Sequence, residues 1–245
     1  MMKYFICGNM LDVEESSLLM RRIDSVMHGI SKNNALRIAT VNPDFLLRAW
    51  RSQHFYYTLA QADVHVIDGV GIALFARCSG RHLPRYAGAD LLNDLLAMAQ
   101  RHKWHVHVFC RRDGLSRYRD VARALTAQYP SLRYSGQDLA QDADIGAVTH
   151  LYDMPVIYLC AFGVPYQEYF LDMLRNTGAR GVFIGIGGAL DFITGKVQRA
   201  PRIMRRIGLE WLWRTWQQPR RVGKMIVSTI FFPVIALWCA MRRQR

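Results

Sequence analysis

Residues 62–73, Ala-Asp-Val-His-Val-Ile-Asp-Gly-Val-Gly-Ile-Ala, decide how the chain is read. Val64, Val66 and Ile67 suit a short buried strand, and Gly69 and Gly71 mark the tight turn that ends it. Ile72 to Ala76 then read as a helix packed back on the sheet. Asp68 therefore falls at the carboxyl end of a strand beside a helix amino terminus, where open α/β sheets hold their ligands. The plainer role for the same residue is a helix cap.

Outward from this stretch, strands and helices alternate. Towards the amino terminus, residues 4–7 read as a short strand, 14–27 as an amphipathic helix, and 36–41 as a strand carrying Thr40 and running into Asn42 and Pro43. Pro43 suits the first turn of a helix, continued by Phe45, Leu46, Ala49 and Trp50. In the other direction come helices over 90–100, 115–128 and 166–176 and strands over 105–110, 155–162 and 182–186, with a weak strand at 132–134. The alternation predicts an α/β fold with a mainly parallel sheet covered by helices on both faces. After Pro201 the pattern becomes helical, aromatic and basic, so residues 1–195 are expected to form the body and 196–245 an appendage.

Charge separates the same two parts. The net charge is +13, but residues 196–245 hold twelve basic residues against the single acid Glu210, so this segment carries +11 and leaves +2 for the rest. A basic tail suits nucleic acid, anionic lipid or a phosphorylated substrate. Trp211, Trp213 and Trp216, followed by 17 uncharged residues from Met225 to Met241, favour lipid over nucleic acid. As a helix that stretch would cover about 25 Å, just under the ~30 Å of a bilayer core, and Pro233 interrupts it. Insertion in the interface ranks above a true span, and burial in the protein third. The five cysteines are scattered without a Cys-x-x-Cys pair, which fits buried thiols in a reducing compartment. The amino terminus shows no basic stretch followed by an apolar run, so the body is expected in the cytoplasm.

Four strand ends carry polar or glycine-rich residues: Thr40 with Asn42, Asp68 with Gly69, Gly163 leading to Gln167, and Gly187-Gly188 leading to Asp191. In a parallel sheet they share one edge and can line one crevice, and glycine-rich strand-to-helix turns suit a diphosphate. Each alone is ordinary turn chemistry; their coincidence points to a site. Gly69-Val70-Gly71 and Gly185-Ile186-Gly187-Gly188 lack the dinucleotide spacing, which argues against a Rossmann dehydrogenase. Asp142-Ala143-Asp144 spells a metal-binding Asp-x-Asp but follows the polar run 137–141, so it reads as a solvated turn or helix start. His102, His105 and His107 have no carboxylate or cysteine close by in sequence and read as satisfied or surface histidines. There is no Gly-x-Ser-x-Gly elbow.

With these strand ends collected, the chain resembles the bacterial WecG/TagA/CpsF glycosyltransferases (glycosyltransferase family 26). The matching stretches are Thr40-Val41-Asn42, Asp68-Gly69-Val70-Gly71, residues 85–91 (Arg-Tyr-Ala-Gly-Ala-Asp-Leu), residues 163–168 (Gly-Val-Pro-Tyr-Gln-Glu) and Gly185-Ile186-Gly187-Gly188 with Asp191. They continue with Gly195, Arg199-Ala200-Pro201, residues 208–212 (Gly-Leu-Glu-Trp-Leu), Arg214, Pro219, Arg220 and Arg221. The resemblance implies a Rossmann-like sheet of the GT-E type with an appendage that helps close the site. It also implies a metal-independent inverting enzyme with no cofactor, moving a sugar from a UDP-sugar to an undecaprenyl-diphosphate-linked saccharide at the cytoplasmic membrane face. N-acetylmannosamine, its uronic acid and glucose stay open as donor sugars, and a homo-oligomer stays open as a state. The family often has Lys where this chain has Tyr166.

On this reading Asp68 is the base, and Thr40, Asn42 and Gln167 orient the substrates. Arg85, Arg214, Arg220 and Arg221 meet the charge of the departing diphosphate, because a guanidinium grips phosphate oxygens in a fork. Gly69, Gly163, Gly187, Gly188 and Asp191 are expected to hold nucleotide or substrate. The rivals are a nucleic-acid-binding basic protein and a non-catalytic membrane-tethered scaffold.

Overall fold

The computed structural model describes residues 2–6, 8–30, 34–78, 80–148, 152–206, 209–218, 222–223 and 232. In chain order the elements are β1 (Met2–Ile6), β2 (Asn9–Val13), α1 (Ser16–Met27), β3 (Ala35–Val41), α2 (Pro43–Arg51), α3 (Gln53–Ala60), β4 (Val64–Ile67) and α4 (Val70–Cys78). Then follow α5 (Gly88–His102), β5 (His105–Arg111), α6 (Tyr118–Gln128), β6 (Arg133–Leu139), β7 (Val156–Cys160), α7 (Tyr166–Asn176), β8 (Gly181–Gly185), α8 (Leu190–Ile193), α9 (Arg202–Arg206) and α10 (Glu210–Gln217). β3 to β8 form one sheet in the order β4-β3-β8-β7-β5-β6 with every neighbouring pair parallel, while β1 and β2 make an antiparallel hairpin.

β4, β7 and β8 are buried at every position, as a sheet covered on both faces requires. Side-chain alternation divides the core. Ile38, Val64, Val66, Val182 and Ile184 pack with α1, α5 and α6. On the opposite face, Ala39, Val41 and Ile67 pack with α2 and α3, and Tyr158 and Phe183 with α7. Because all six strands run the same way, their carboxyl ends lie along one edge.

Three elements depart from the expectations. β2 is a second hairpin strand where no element was expected, with Leu11 and Val13 turned into the core. The helix after Pro43 stops at Arg51, because Ser52 is extended and starts α3, its Oγ accepting from Phe55 N at 3.3 Å. β6 runs to Leu139 rather than stopping at Tyr134. It is one of the sheet's two outer strands, and unlike β4 it is only half-buried, so Gln137 and Asp138 are tolerated there and the apolar signal is weak.

Of the predicted appendage, α9 and α10 are described, and no helix among the described residues is long and apolar enough to cross a membrane. The stretch Met225–Met241 lies outside the described residues except for Phe232. Phe232 is fully buried in the α2–α3–α4 cluster, its ring 6.2 Å from that of Phe75.

His65 in β4 ties the hairpin to the sheet: Nδ1 accepts from Asp12 N at 3.0 Å and Nε2 donates to Leu59 O at 2.9 Å. That pattern requires the neutral ring, and burial lowers the His65 pKa below its ordinary value. A depressed histidine pKa contributes stability above about pH 6.5 that is lost as pH falls towards the folded value. The melting temperature should therefore fall between pH 7 and 5, and His65→Gln should flatten that fall; equal slopes in both proteins would refute the assignment.

Candidate active site

The carboxyl edge of the sheet assembles from its tightest turns. Asp68 N donates to Val41 O at 3.0 Å, so the residue after β4 is held against the end of β3. A Cβ on Gly69 would lie 2.6 Å from Pro43 Cδ, so only glycine lets the two loops approach this closely. The Asp68 carboxylate turns to the start of α5, where Oδ1 accepts from Gly88 N at 2.8 Å. A 15-residue helix thus points its amino-terminal dipole at this anion. Arg85, exposed, donates from Nε to Asp68 O at 3.1 Å. Acid, arginine and helix terminus share one turn.

Thr40 and Asn42 stand on the neighbouring strand end. Thr40 Oγ1 donates to Gly185 O at 2.8 Å and so stitches β3 to β8. Asn42 caps α2, its Oδ1 accepting from Asp44 N at 3.0 Å and Phe45 N at 3.4 Å, so its Nδ2 is not needed for the cap. Gln167 is 1 % exposed, with Oε1 accepting from Gly187 N at 3.1 Å and Nε2 donating to Glu168 Oε1 at 3.1 Å. Gly187 has φ +50° and Gly163 φ +80°, a backbone region that favours glycine, and Gly188 shares the turn with Gly187. Asp68 lies two strands from that turn, about 10 Å at the usual strand spacing.

Beneath Gln167 lies a buried charge cluster. Arg37 in β3 and Glu168 are both fully buried and meet at 3.2 Å, and Arg37 also reaches Asp172 at 3.0 Å and Thr58 O at 2.8 Å. Burial raises the Glu168 pKa, and the Arg37 charge opposes this without cancelling it. A Cβ on Gly185 would come within 2.5 Å of Glu168 Oε1 and 2.2 Å of Gln167 Nε2, so the end of β8 must be bare to admit both.

The family model for glycosyl transferases of the WecG/TagA/CpsF family matches residues 9–245. The chain belongs to this family. Among curated relatives, the N-acetylglucosaminyldiphosphoundecaprenol N-acetyl-beta-D-mannosaminyltransferase of Bacillus subtilis is 29% identical over 203 residues, covering 81% of this chain and 78% of that protein. The enzyme of the same name from Staphylococcus aureus strain MW2 is 27% identical over 232 residues, covering 92% and 90%.

Within the family's motif blocks the remaining predicted residues take different places. Asp191 is 6 % exposed on α8, its Oδ1 accepting from Ser116 Oγ at 2.8 Å, so its carboxylate holds the loop after β5. Arg214 lies on α10 with its side chain outside the described part, and Arg220 and Arg221 lie outside the described residues. Sequence reasoning missed Arg199 as a junction. Its Nη1 meets Asp90 at 2.7 Å in the first turn of α5, and its Nε lies 3.5 Å from Glu210 on α10. Trp213 Nε1 and Gln217 Nε2 also donate to Gln198 O, at 3.0 and 2.8 Å. Three motif blocks therefore meet through one guanidinium, which their separation in sequence hides.

Asp142 and Asp144 are exposed in the turn beyond β6, at the far side of the sheet from β4. His105 and His107 share Ser135 Oγ at 2.7 and 2.8 Å. His102 instead joins Asp24 and His28, with three ligand atoms within 4.8 Å, about 20 Å along α5 from Gly88. Burial raises the Cys110 and Cys160 thiol pKa values, which suppresses thiolate chemistry. Glu168→Ala should leave the buried Arg37 with Asp172 as its remaining acid and cost about 3–5 kcal/mol, on the order of 10 °C in melting temperature. A loss under about 1 kcal/mol in thermal or denaturant unfolding would contradict that.

Proposed function

We propose that this chain transfers a sugar from a UDP-sugar to an undecaprenyl-diphosphate-linked saccharide, with inversion, in the synthesis of a cell-surface polysaccharide. N-acetylmannosamine and N-acetylglucosaminyl-diphosphoundecaprenol are the first donor sugar and acceptor to test, following the names of the relatives from B. subtilis and S. aureus. The observation that carries the reading is the placement of the Asp68 carboxylate on the strand edge that also bears the Gly187–Gly188 turn.

Inverting transfer is a single displacement. Asp68 takes the proton of the acceptor hydroxyl as its oxygen attacks the anomeric carbon, and the bond to the UDP oxygen breaks on the opposite face. The start of α5 holds the Asp68 carboxylate aimed before the proton moves. Arg85 and the appendage arginines Arg214, Arg220 and Arg221 meet the charge left on UDP beside the glycine turn. Asn42 Nδ2 orients the sugars, while the buried Gln167 amide acts indirectly by holding the Gly187 turn. Asp142 and Asp144 follow β6 at the other end of this edge, five strands from β4, which favours a reaction at Asp68 that uses no Asp-x-Asp metal.

The appendage is proposed to rest on the cytoplasmic face of the membrane, with the basic residues at lipid headgroups and the apolar stretch in the interface. Alkaline carbonate should then release the protein from membranes; retention in the pellet would mark a true span. Asp68→Asn should lower turnover by about 10²–10⁴-fold while UDP still binds. Full activity in that variant, measured with UDP-N-acetylmannosamine and a lipid-linked acceptor, would overturn the assignment of the base.

A further inference from the structure

A cavity of about 380 Å³ lies outside the turn that carries Asp68, between α2, α3 and the start of α7. One of its walls is Asp44, two residues beyond the cap Asn42 and so in the first turn of α2 beside that edge. Below, Arg48 and Arg51 project from one face of α2. Leu47 and Phe55, both buried, and half-buried Tyr169 supply an apolar lining. Tyr169 is braced by His54 at 4.6 Å and by the edge of Phe55 at 6.0 Å between ring centroids. The volume is in the small-ligand range.

The chemistry selects the ligand. Two guanidiniums three residues apart on a helix can take neighbouring phosphates, each in a bidentate fork. Arg48 Nε now lies 3.0 Å from Asp44 Oδ1, so its site is partly neutralised, whereas Arg51 is exposed. Cations beside aromatic and aliphatic surface suit a phosphate group that continues into hydrocarbon better than a nucleotide. Gly223 completes the wall, and two residues later the 17-residue uncharged stretch begins.

We propose that this groove binds the diphosphate and first isoprene units of the lipid-linked acceptor, with Arg48 and Arg51 on the phosphates and Leu47, Phe55 and Tyr169 against the lipid. The attached sugar then extends up α2 towards Asp68; Asp44 to Arg51 spans about 10 Å of helix. The inference rests on the transferase reading above and adds to it the acceptor's seat.

The test uses the full chain, UDP-N-acetylmannosamine and an N-acetylglucosaminyl-diphosphofarnesol acceptor. Arg51→Ala and Arg48→Ala should each raise the acceptor KM by about tenfold, leave the donor KM within about twofold, and weaken farnesyl diphosphate as a competitor by the same factor. Arg51→Lys should recover part of the loss, and circular dichroism checks that each variant folds. An unmoved acceptor KM refutes the proposal. So does a shift confined to the donor KM, which would make this the UDP site, or one confined to phosphatidylglycerol vesicle binding, which would make it a headgroup site. If the wild type transfers no UDP-sugar, the transferase reading fails by itself; direct titration with farnesyl diphosphate then still judges the groove, since equal binding by wild type and Arg51→Ala would sink it.

Discussion

The structure depends on a pair of charges that water never reaches. Arg37 sits mid-strand in β3, inside the sheet, and holds Glu168 and Asp172 of α7 together with the last turn of α3. Desolvating two ions costs several kcal/mol each, and their attraction repays it only when geometry is good and the other donors are bonded. Such a pair is a poor source of stability but a stringent constraint on position. It fixes the rotation and height of α7, and with them Gln167, whose amide reaches out of the core to the Gly187 N–H. The glycine turn at the edge is thus referenced to a charge in the interior.

A second constraint acts from the other end of the crevice. The first turn of α5 receives the Asp68 carboxylate at Gly88, and two residues later Asp90 binds Arg199, which also faces Glu210 of α10. One helix terminus therefore holds both the acid of the edge and the root of the basic segment. This arrangement links the body to the part of the chain that carries most of its charge. It also explains why residues 85–91, 199–201 and 208–212, scattered in sequence, belong to one device.

Much of the sheet was legible because buried parallel strands announce themselves as short apolar runs: residues 64–67, 156–160 and 182–185 are of this kind. α7 was readable from its start at Tyr166 to its end at Asn176. β2 and β6 were not, since a hairpin and an outer strand tolerate polar residues that blur the period. The same holds for the site. Strand-end residues Thr40, Asn42, Asp68 and Gly187 could be gathered from sequence, because a parallel sheet forces its ends to one side. What each side chain bonds could not: Thr40 to Gly185, Asp191 to Ser116 and Arg199 to Asp90 are contacts between residues 75–145 positions apart. Arg37 was invisible for a further reason, as a lone arginine inside Leu-Arg-Ile-Ala gives no hint of the two acids it meets.

Phe232 has a consequence for topology. It stands at the eighth of the 17 uncharged residues, and its ring is wholly enclosed beside Phe75 on α4. A polypeptide threaded straight across a lipid bilayer must give its midpoint to hydrocarbon. Here that one residue is given to protein: while its seat beside Phe75 is filled, the Phe232 ring is withheld from lipid.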